Sequence, residues 1–344
     1  MIFRDLFNRF IIEKQLMRIG SNPQKSERKI ILTTHHRIVI VVYLPNEEGF
    51  YKNSFEVFKM CLDSLILTIN SKAAITVVNN GSHKKVVDFL NLYFEEKKID
   101  TLISHHTNIG KIDAMIGAAR GSREKYITLT DSDILFINGW QEKIEEIFSN
   151  FPNVGSVSPI PVRRSLMFGT SSVLKQILLR KIKYRSEPIV ENFEDYNRYL
   201  ESINWDLETE NDKNWSVIEK NKCKANIGSG HQVLTIDRDI LFKTTPTNPS
   251  LTLVGGTSEN DYVDFPIDKA NKLRLATYNN YAFHMGNKLE EWMIEEFNKN
   301  YKLEKLEKTQ LNVQSLDIHY SWFYNKYFGL NKKIIKIIFS VFYK

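Results

Sequence analysis

The chain repeats one local pattern four times, and that pattern leaves few folds open. Ile38-Val39-Ile40-Val41-Val42-Tyr43 is a continuous apolar run, as a strand buried on both faces requires. It stops at Pro45-Asn46-Glu47, and helical spacing follows from Phe50 to Leu67. Ala74-Ile75-Thr76-Val77-Val78 predicts a second strand, ended by Asn79-Asn80-Gly81-Ser82, with a helix after it through Glu95. Thr101-Leu102-Ile103-Ser104 is a short third strand, and Asn108 and Gly110 introduce a helix from Lys111 to Ala119. Tyr126-Ile127-Thr128-Leu129-Thr130 is the fourth strand. Serial βα units with short links predict an α/β fold with a doubly wound, mostly parallel, Rossmann-like sheet. Ligands of such sheets sit beyond the carboxyl ends of the strands. Pro45, Asn79, Asn108 and Asp131 all occupy those ends and are expected to converge.

Asp131-Ser132-Asp133 closes the fourth strand. A buried strand thus delivers two carboxylates to a loop edge, where they can share one divalent cation. Two hard oxygen ligands suit Mg²⁺ or Mn²⁺, which can take its remaining ligands from phosphates. An ordinary Asp-containing turn is the alternative for the triplet taken alone.

Composition sets outer limits. With 344 residues, 42% of them hydrophobic, the chain can bury one large core or two ordinary ones. Its two cysteines, Cys61 and Cys223, form neither a disulfide framework nor a zinc spacing, so a reducing, cytoplasmic setting is expected. The net charge of +6 suits phosphate-bearing substrates or an anionic membrane surface. There is no long Lys/Arg block of the kind that binds nucleic acid, and no apolar stretch long enough to span a bilayer. The N-terminus does not read as a signal peptide; Phe3, Leu6, Phe7, Phe10 and Ile11 predict an amphipathic helix to Arg18, followed by a polar link from Gly20 to Arg28.

Beyond Trp140 the pattern loosens. A helix is expected to Phe148, a strand over Val154 to Val157, and a helical, polar region from Arg163 to Trp215. Gly228-Ser229-Gly230-His231 precedes a strand at Gln232 to Ile236 and is either a loop beside the substrates or a plain strand-entry turn. Trp140 and Trp215 either stack on a ring of the ligand or pack in the core.

Six short pieces, in order, resemble the GT-A glycosyltransferases, and within them family 2. These are Val41-Val42-Tyr43-Leu44-Pro45-Asn46-Glu47, Val77-Val78-Asn79-Asn80-Gly81-Ser82, Asn108-Ile109-Gly110-Lys111, Thr130-Asp131-Ser132-Asp133, Glu259-Asn260-Asp261 and His284. The resemblance covers Ile38 to Asn287. It implies a GT-A fold with helical acceptor-side and C-terminal additions, and a metal-dependent, inverting transfer of a sugar from a nucleotide diphosphate to an acceptor hydroxyl. It implies a nucleotide-sugar-binding half at 37–135 and an acceptor-binding half at 136–290, between an N-terminal extension at 1–36 and a C-terminal helical tail at 291–344.

The resemblance also assigns roles. Pro45, Asn46 and Glu47 correspond to the loop on the base and ribose, with Asn79 where the family usually has an Asp on the pyrimidine edge. An amide both donates and accepts while a carboxylate only accepts, so the base stays open. Asn108 and Lys111 correspond to the segment near ribose and diphosphate, although Asn108 is equally a helix N-cap. Ser132 joins the nucleotide contacts. Asp133 is the direct metal ligand, Asp131 contacts the ribose or the metal through water, and His284 corresponds to a late metal-ligand His. Asp261 is favoured as the base that takes the acceptor proton, Glu259 is the alternative, and Asp264 stays open. The acidic segment also fits a helix N-terminus.

Two rivals remain at this level. A nucleotidyltransferase would carry a Gly-rich phosphate loop after the first strand, where this chain has Leu44-Pro45-Asn46-Glu47. A non-catalytic glycan-binding or scaffold protein would explain Asn79 and the separated Glu259 and Asp261. The expected partners are a nucleotide sugar and a bacterial surface glycan, free or lipid-linked. The apolar, basic segment Asn331 to Lys344 either lies in a membrane interface or packs on the body or a second subunit.

Overall fold

The four apolar runs form four parallel strands: β1 (His36–Val42), β2 (Ala73–Asn80), β3 (Thr101–His105) and β4 (Tyr126–Thr130). The computed structural model describes residues 32–70, 72–301 and 322–343. The N-terminal helix and polar link expected from the sequence lie outside these residues. All elements below belong to the compact unit Thr34–Lys344.

Helices α1 (Ser54–Thr68), α2 (Lys84–Glu95) and α3 (Lys111–Gly121) connect the four strands. α1 begins at Ser54 rather than Phe50 because Gly49–Tyr51 first makes a 3₁₀ turn. Alternate residues of β1 serve opposite faces, as the strand period of two dictates. Ile38, Ile40 and Val42 pack with Phe58, Leu62 and Leu65 of α1. Val39 and Val41 pack with Ile112, Met115 and Ile116 of α3. Both faces are therefore apolar, which is why the strands read as unbroken hydrophobic runs.

The chain continues through β5 (Ile134–Phe136), α4 (Trp140–Asn150), β6 (Val154–Ser158), α5 (Ser171–Leu178), β7 (Lys183–Pro188) and α6 (Phe193–Ser202). Then come β8 (Asn214–Lys220), β9 (Cys223–Ile227), β10 (Val233–Asp237), α7 (Ile240–Lys243), α8 (Phe265–Lys269), β11 (Leu273–Thr277), β12 (Ala282–His284), α9 (Glu291–Lys299) and α10 (Trp322–Tyr343). The large sheet has the order β3-β2-β1-β4-β10-β6-β11-β9-β8-β7, and β5 pairs with β12 in a second, two-stranded sheet. β10 runs antiparallel between β4 and β6.

One expectation is corrected here. The stretch from Arg163 to Trp215 holds α5 and α6 but also β7 and the start of β8, which pair antiparallel from Lys183↔Glu219 to Pro188↔Asn214. β7 is an edge strand, polar and ended by a proline, so its partner rather than its own composition makes it a strand. Trp140 is buried and donates from Nε1 to Thr68 Oγ1 at 3.1 Å. Trp215 is buried edge-on to Tyr196. Packing, not sugar stacking, is what both indoles do here.

Candidate active site

The carboxyl ends of the parallel strands meet at one edge. Val42 stands opposite Asn79, and Ile40 opposite Thr130, so the loops after β1, β2 and β4 emerge side by side. Asp131 is held to β10 by its N–H, which donates to the Gln232 carbonyl at 2.8 Å. The chain then turns at Ser132, which is half-buried, into β5.

The small sheet places the histidine. β12 pairs with β5 so that His284 is opposite Ile134, and Met285 N donates to the Asp133 carbonyl at 2.8 Å. His284 Nε2 is then 3.4 Å from Asp133 Oδ2, while Nδ1 shares a 2.9 Å hydrogen bond with Ser202 Oγ at the end of α6. Burial alone would lower the His284 pKa, but the Asp133 carboxylate lifts it above its ordinary value.

Lys111 opens α3 and reaches Asp131 Oδ1 with its ammonium at 2.7 Å. Burial pushes the Asp131 carboxyl up, against the pull of Lys111, and the nearby Asp133 charge adds to the rise. The same ammonium is 3.9 Å from Glu259 Oε1. Burial works to raise the Glu259 pKa, yet its own backbone N–H, the Ser258 hydroxyl and Lys111 bring it below the usual value. Glu259 stands just before a π-helical turn, Asn260–Asp264. That turn keeps Glu259 buried and leaves Asp261 exposed, hydrogen-bonded to Thr257 Oγ1 at 2.6 Å. Asp264 is buried against Arg274 at 2.6 Å and faces His231 Nδ1 at 3.3 Å.

The loops after β2 and β3 are tied by amides. Asn79 Oδ1 accepts from Ser82 N at 2.9 Å, closing the turn after β2. Asn80 donates from Nδ2 to Asn108 Oδ1 at 2.8 Å and accepts from Ile109 N at 3.1 Å. Asn108 also accepts from Gly110 N, so it shapes the entry to α3. Gly110 has φ of +97°, and a Cβ there would lie 2.3 Å from the Thr252 carbonyl oxygen, a contact only glycine allows. Pro45 is half-buried, and Asn46 and Glu47 are exposed, with Glu47 paired to Lys85 at 2.6 Å.

The structure thus gathers Lys111, Asp131, Asp133, Glu259 and His284, and leaves Asp261 exposed beside Thr257. Among the described residues no three His, Cys, Asp or Glu side chains form a closed metal cage. The donor set does suit an open site. Oδ1 of Asp133 is buried without a hydrogen bond, while Oδ1 of Asp131 is taken by Lys111 at 2.7 Å. An unspent carboxylate oxygen beside an imidazole fits a hard divalent cation that takes further ligands from phosphates. Sequence reasoning missed Ser202 and Ser258, which orient His284 and Glu259, and Asn80. Only Asn80 carried a signal, as the second amide after a strand; the serines lie on segments whose placement depends on tertiary packing.

Residues 40–209 match the family model described as glycosyl transferase family 2. Three solved structures show a partial likeness. The mannosyltransferase PcManGT from Pyrobaculum calidifontis, in complex with GDP-Man and Mn²⁺, is 15% identical over 80% of this chain and 62% of that chain, with a TM-score of 0.40. TarS 1-349 from S. aureus is 13% identical over 82% of this chain and 76% of that one, with a TM-score of 0.39. GalNAc-T7 with UDP, GalNAc and Mn²⁺ is 15% identical over 74% of this chain and 43% of that one, with a TM-score of 0.43. The chain therefore spans less than two thirds of the length of PcManGT and of GalNAc-T7. No curated protein matches it. The part of the chain that matches glycosyl transferase family 2, residues 40–209, thus contains Lys111, Asp131 and Asp133.

Proposed function

We propose that this chain moves a sugar from a nucleotide diphosphate to an acceptor hydroxyl, with inversion, using a divalent cation. The observation that carries the reading is the side-chain cluster at the end of β4, where Asp133, with one buried oxygen unpartnered, lies beside His284, and Lys111 stands between Asp131 and Glu259. Asp133 and His284 are the residues that would hold Mn²⁺ or Mg²⁺, with Asp131 contacting it through water or meeting the ribose. When bound, the cation supplies Lewis-acid neutralisation of the departing diphosphate. Lys111 brings a second positive charge to the same phosphates. Residues 37–135 hold the donor. Pro45, Asn46 and Glu47 border the base and ribose, and Asn108 and Ser132 border the diphosphate side. Asn79 uses its carbonyl within its own turn, so its NH₂ is the group that meets the base edge.

Residues 136–290 receive the acceptor. Glu259 accepts the proton of the attacking hydroxyl, because it lies in the pocket and is held ionised, whereas Asp261 is exposed. The acceptor is a bacterial surface glycan, free or lipid-linked, extended at the cytoplasmic face of the membrane. The basic balance of the chain and an exposed apolar face on α10 support that placement.

Hydrolysis of a panel of UDP- and GDP-sugars with Mn²⁺, with Mg²⁺ and with EDTA tests the reading. At least one donor is expected to turn over only with metal, and Asp133→Ala is expected to lose that turnover. Full activity in EDTA overturns the metal role. No turnover or binding of any donor would favour a non-catalytic glycan-binding protein.

A further inference from the structure

The C-terminal helix α10 has two apolar faces, and the body covers one of them. On the covered side Phe339 is 1% exposed and meets the Tyr184 ring edge-on at 5.5 Å. Tyr343 meets the same ring at 5.3 Å, Lys332 lies 4.4 Å over the Phe265 ring, and Lys336 donates to the Met167 carbonyl. The helix is thus pinned to the body at several points.

The other side carries Leu330, Ile334, Ile337, Ile338, Val341 and Phe342. Their spacing of three and four residues puts them in one stripe. Ile337, Val341 and Phe342 are 64%, 72% and 73% exposed, which is far from what such side chains show in a core. Lys333 is exposed on the same helix, and Arg180, Lys181 and Lys183 are exposed just beyond α5. Because Tyr184 touches both Phe339 and Tyr343, that basic cluster lies at the C-terminal end of α10.

We propose that this stripe is the surface by which the protein docks on an anionic phospholipid bilayer. The apolar side chains enter the headgroup boundary while the lysines and Arg180 meet lipid phosphates, as for an interfacial amphipathic helix. Lying flat is the mode available, since among the described residues no helix is long and apolar enough to cross a membrane. A second copy of the chain fits less well, because it would set its own cations against these. The pinned covered face gives docking a consequence: the bilayer holds the whole body, and hence the pocket, rather than a loose tail. The proposal rests on the transferase reading only for its purpose; membrane binding is measured separately from donor chemistry.

The test is flotation of the full chain with phosphatidylcholine vesicles, with and without phosphatidylglycerol. Wild type is expected to float with the anionic vesicles and to be released by salt. The double variant Ile337→Asp, Val341→Asp is expected to bind about tenfold more weakly or worse, and Lys333→Glu with Lys181→Glu severalfold more weakly. Donor hydrolysis and circular dichroism are expected to stay unchanged, and if the double variant misfolds, Phe342→Ser reads the same face. Wild type that does not float, or variants that float equally well, overturn the proposal. A wild-type dimer that the Asp variant splits, with no flotation, assigns the face to a second copy. Absent donor turnover with normal flotation would count against the transferase reading alone.

Discussion

The two edges of the central sheet carry the same kinds of charged side chain and treat them in opposite ways. At the amino edge of β1 and β4 buried charges meet opposite charges at close range, although Arg37 Nε and His36 Nδ1 make no hydrogen bond. Arg37 meets Glu124 at 2.5 Å, and Lys272 and Lys125 meet Asp237 at 2.8 and 2.9 Å. His35 meets Glu145 at 2.9 Å. At the carboxyl edge, Asp131 and Asp133 share one close lysine, and Oδ1 of Asp133 is buried without a hydrogen bond. A buried charge whose partner is in place costs the fold little, and an unspent one costs stability that ligand binding can return. The difference teaches where to look for function: the edge whose charges are paired holds the sheet, and the edge where two carboxylates crowd one lysine is shaped for a cation to bind.

Removing one partner at each edge gives the largest expected contrast. Arg37→Ala strands a buried carboxylate and is expected to cost about 3–5 kcal/mol of folding stability. Asp133→Ala relieves like-charge crowding and is expected to leave stability unchanged or raised, while transfer falls by a thousandfold or so, about 4 kcal/mol of barrier. Denaturant titration of both variants beside wild type decides; equal losses of stability would erase the contrast.

Acid sharpens it further. Burial alone would raise the Glu124 carboxyl, but the hydrogen bonds from Arg37 and its neighbours hold it at about 2. Glu145 is likewise brought to about 2, against burial, by His35 and His36. A depressed folded-state pKa means stability present above the unfolded value of 4.5 and lost as pH falls from there towards 2. Each group should contribute on the order of 3 kcal/mol at full effect. Unfolding curves between those limits should show the loss, and Arg37→Ala should flatten the Glu124 part of it. A wild-type stability that is flat across that range would refute the account.

The smallest effect separates the two carboxylates beside the pocket. Glu259→Gln keeps the shape but cannot take a proton, and turnover is expected to fall about a hundredfold with donor binding retained. Asp261→Asn, on an exposed position, is expected to stay within a few fold of wild type. The reverse pattern in steady-state kinetics would return the base to Asp261.

Much of this was legible locally. The runs at Ile38, Ala74, Thr101 and Tyr126 announce buried parallel strands because strands sealed on both faces need unbroken apolar sequence. The end of the apolar run at Thr130 announces carboxylates at a strand end, where doubly wound sheets bind ligands. The sequence by itself therefore determined the four-strand frame and the edge at which chemistry would sit. Only the tertiary structure decided the rest. β7 is a strand because β8 offers it a ladder, although its own residues read as polar helix. Glu259 is buried and Asp261 exposed because of the turn that follows, a choice that spacing alone does not make. Lys111 became the partner of Asp131, and His284 the neighbour of Asp133, through contacts between segments far apart in the chain. The physical reason is the range of the forces involved. Local periodicity records which side chains are buried, while strand partners, turn geometry and charge pairing depend on which segments meet once the core has closed.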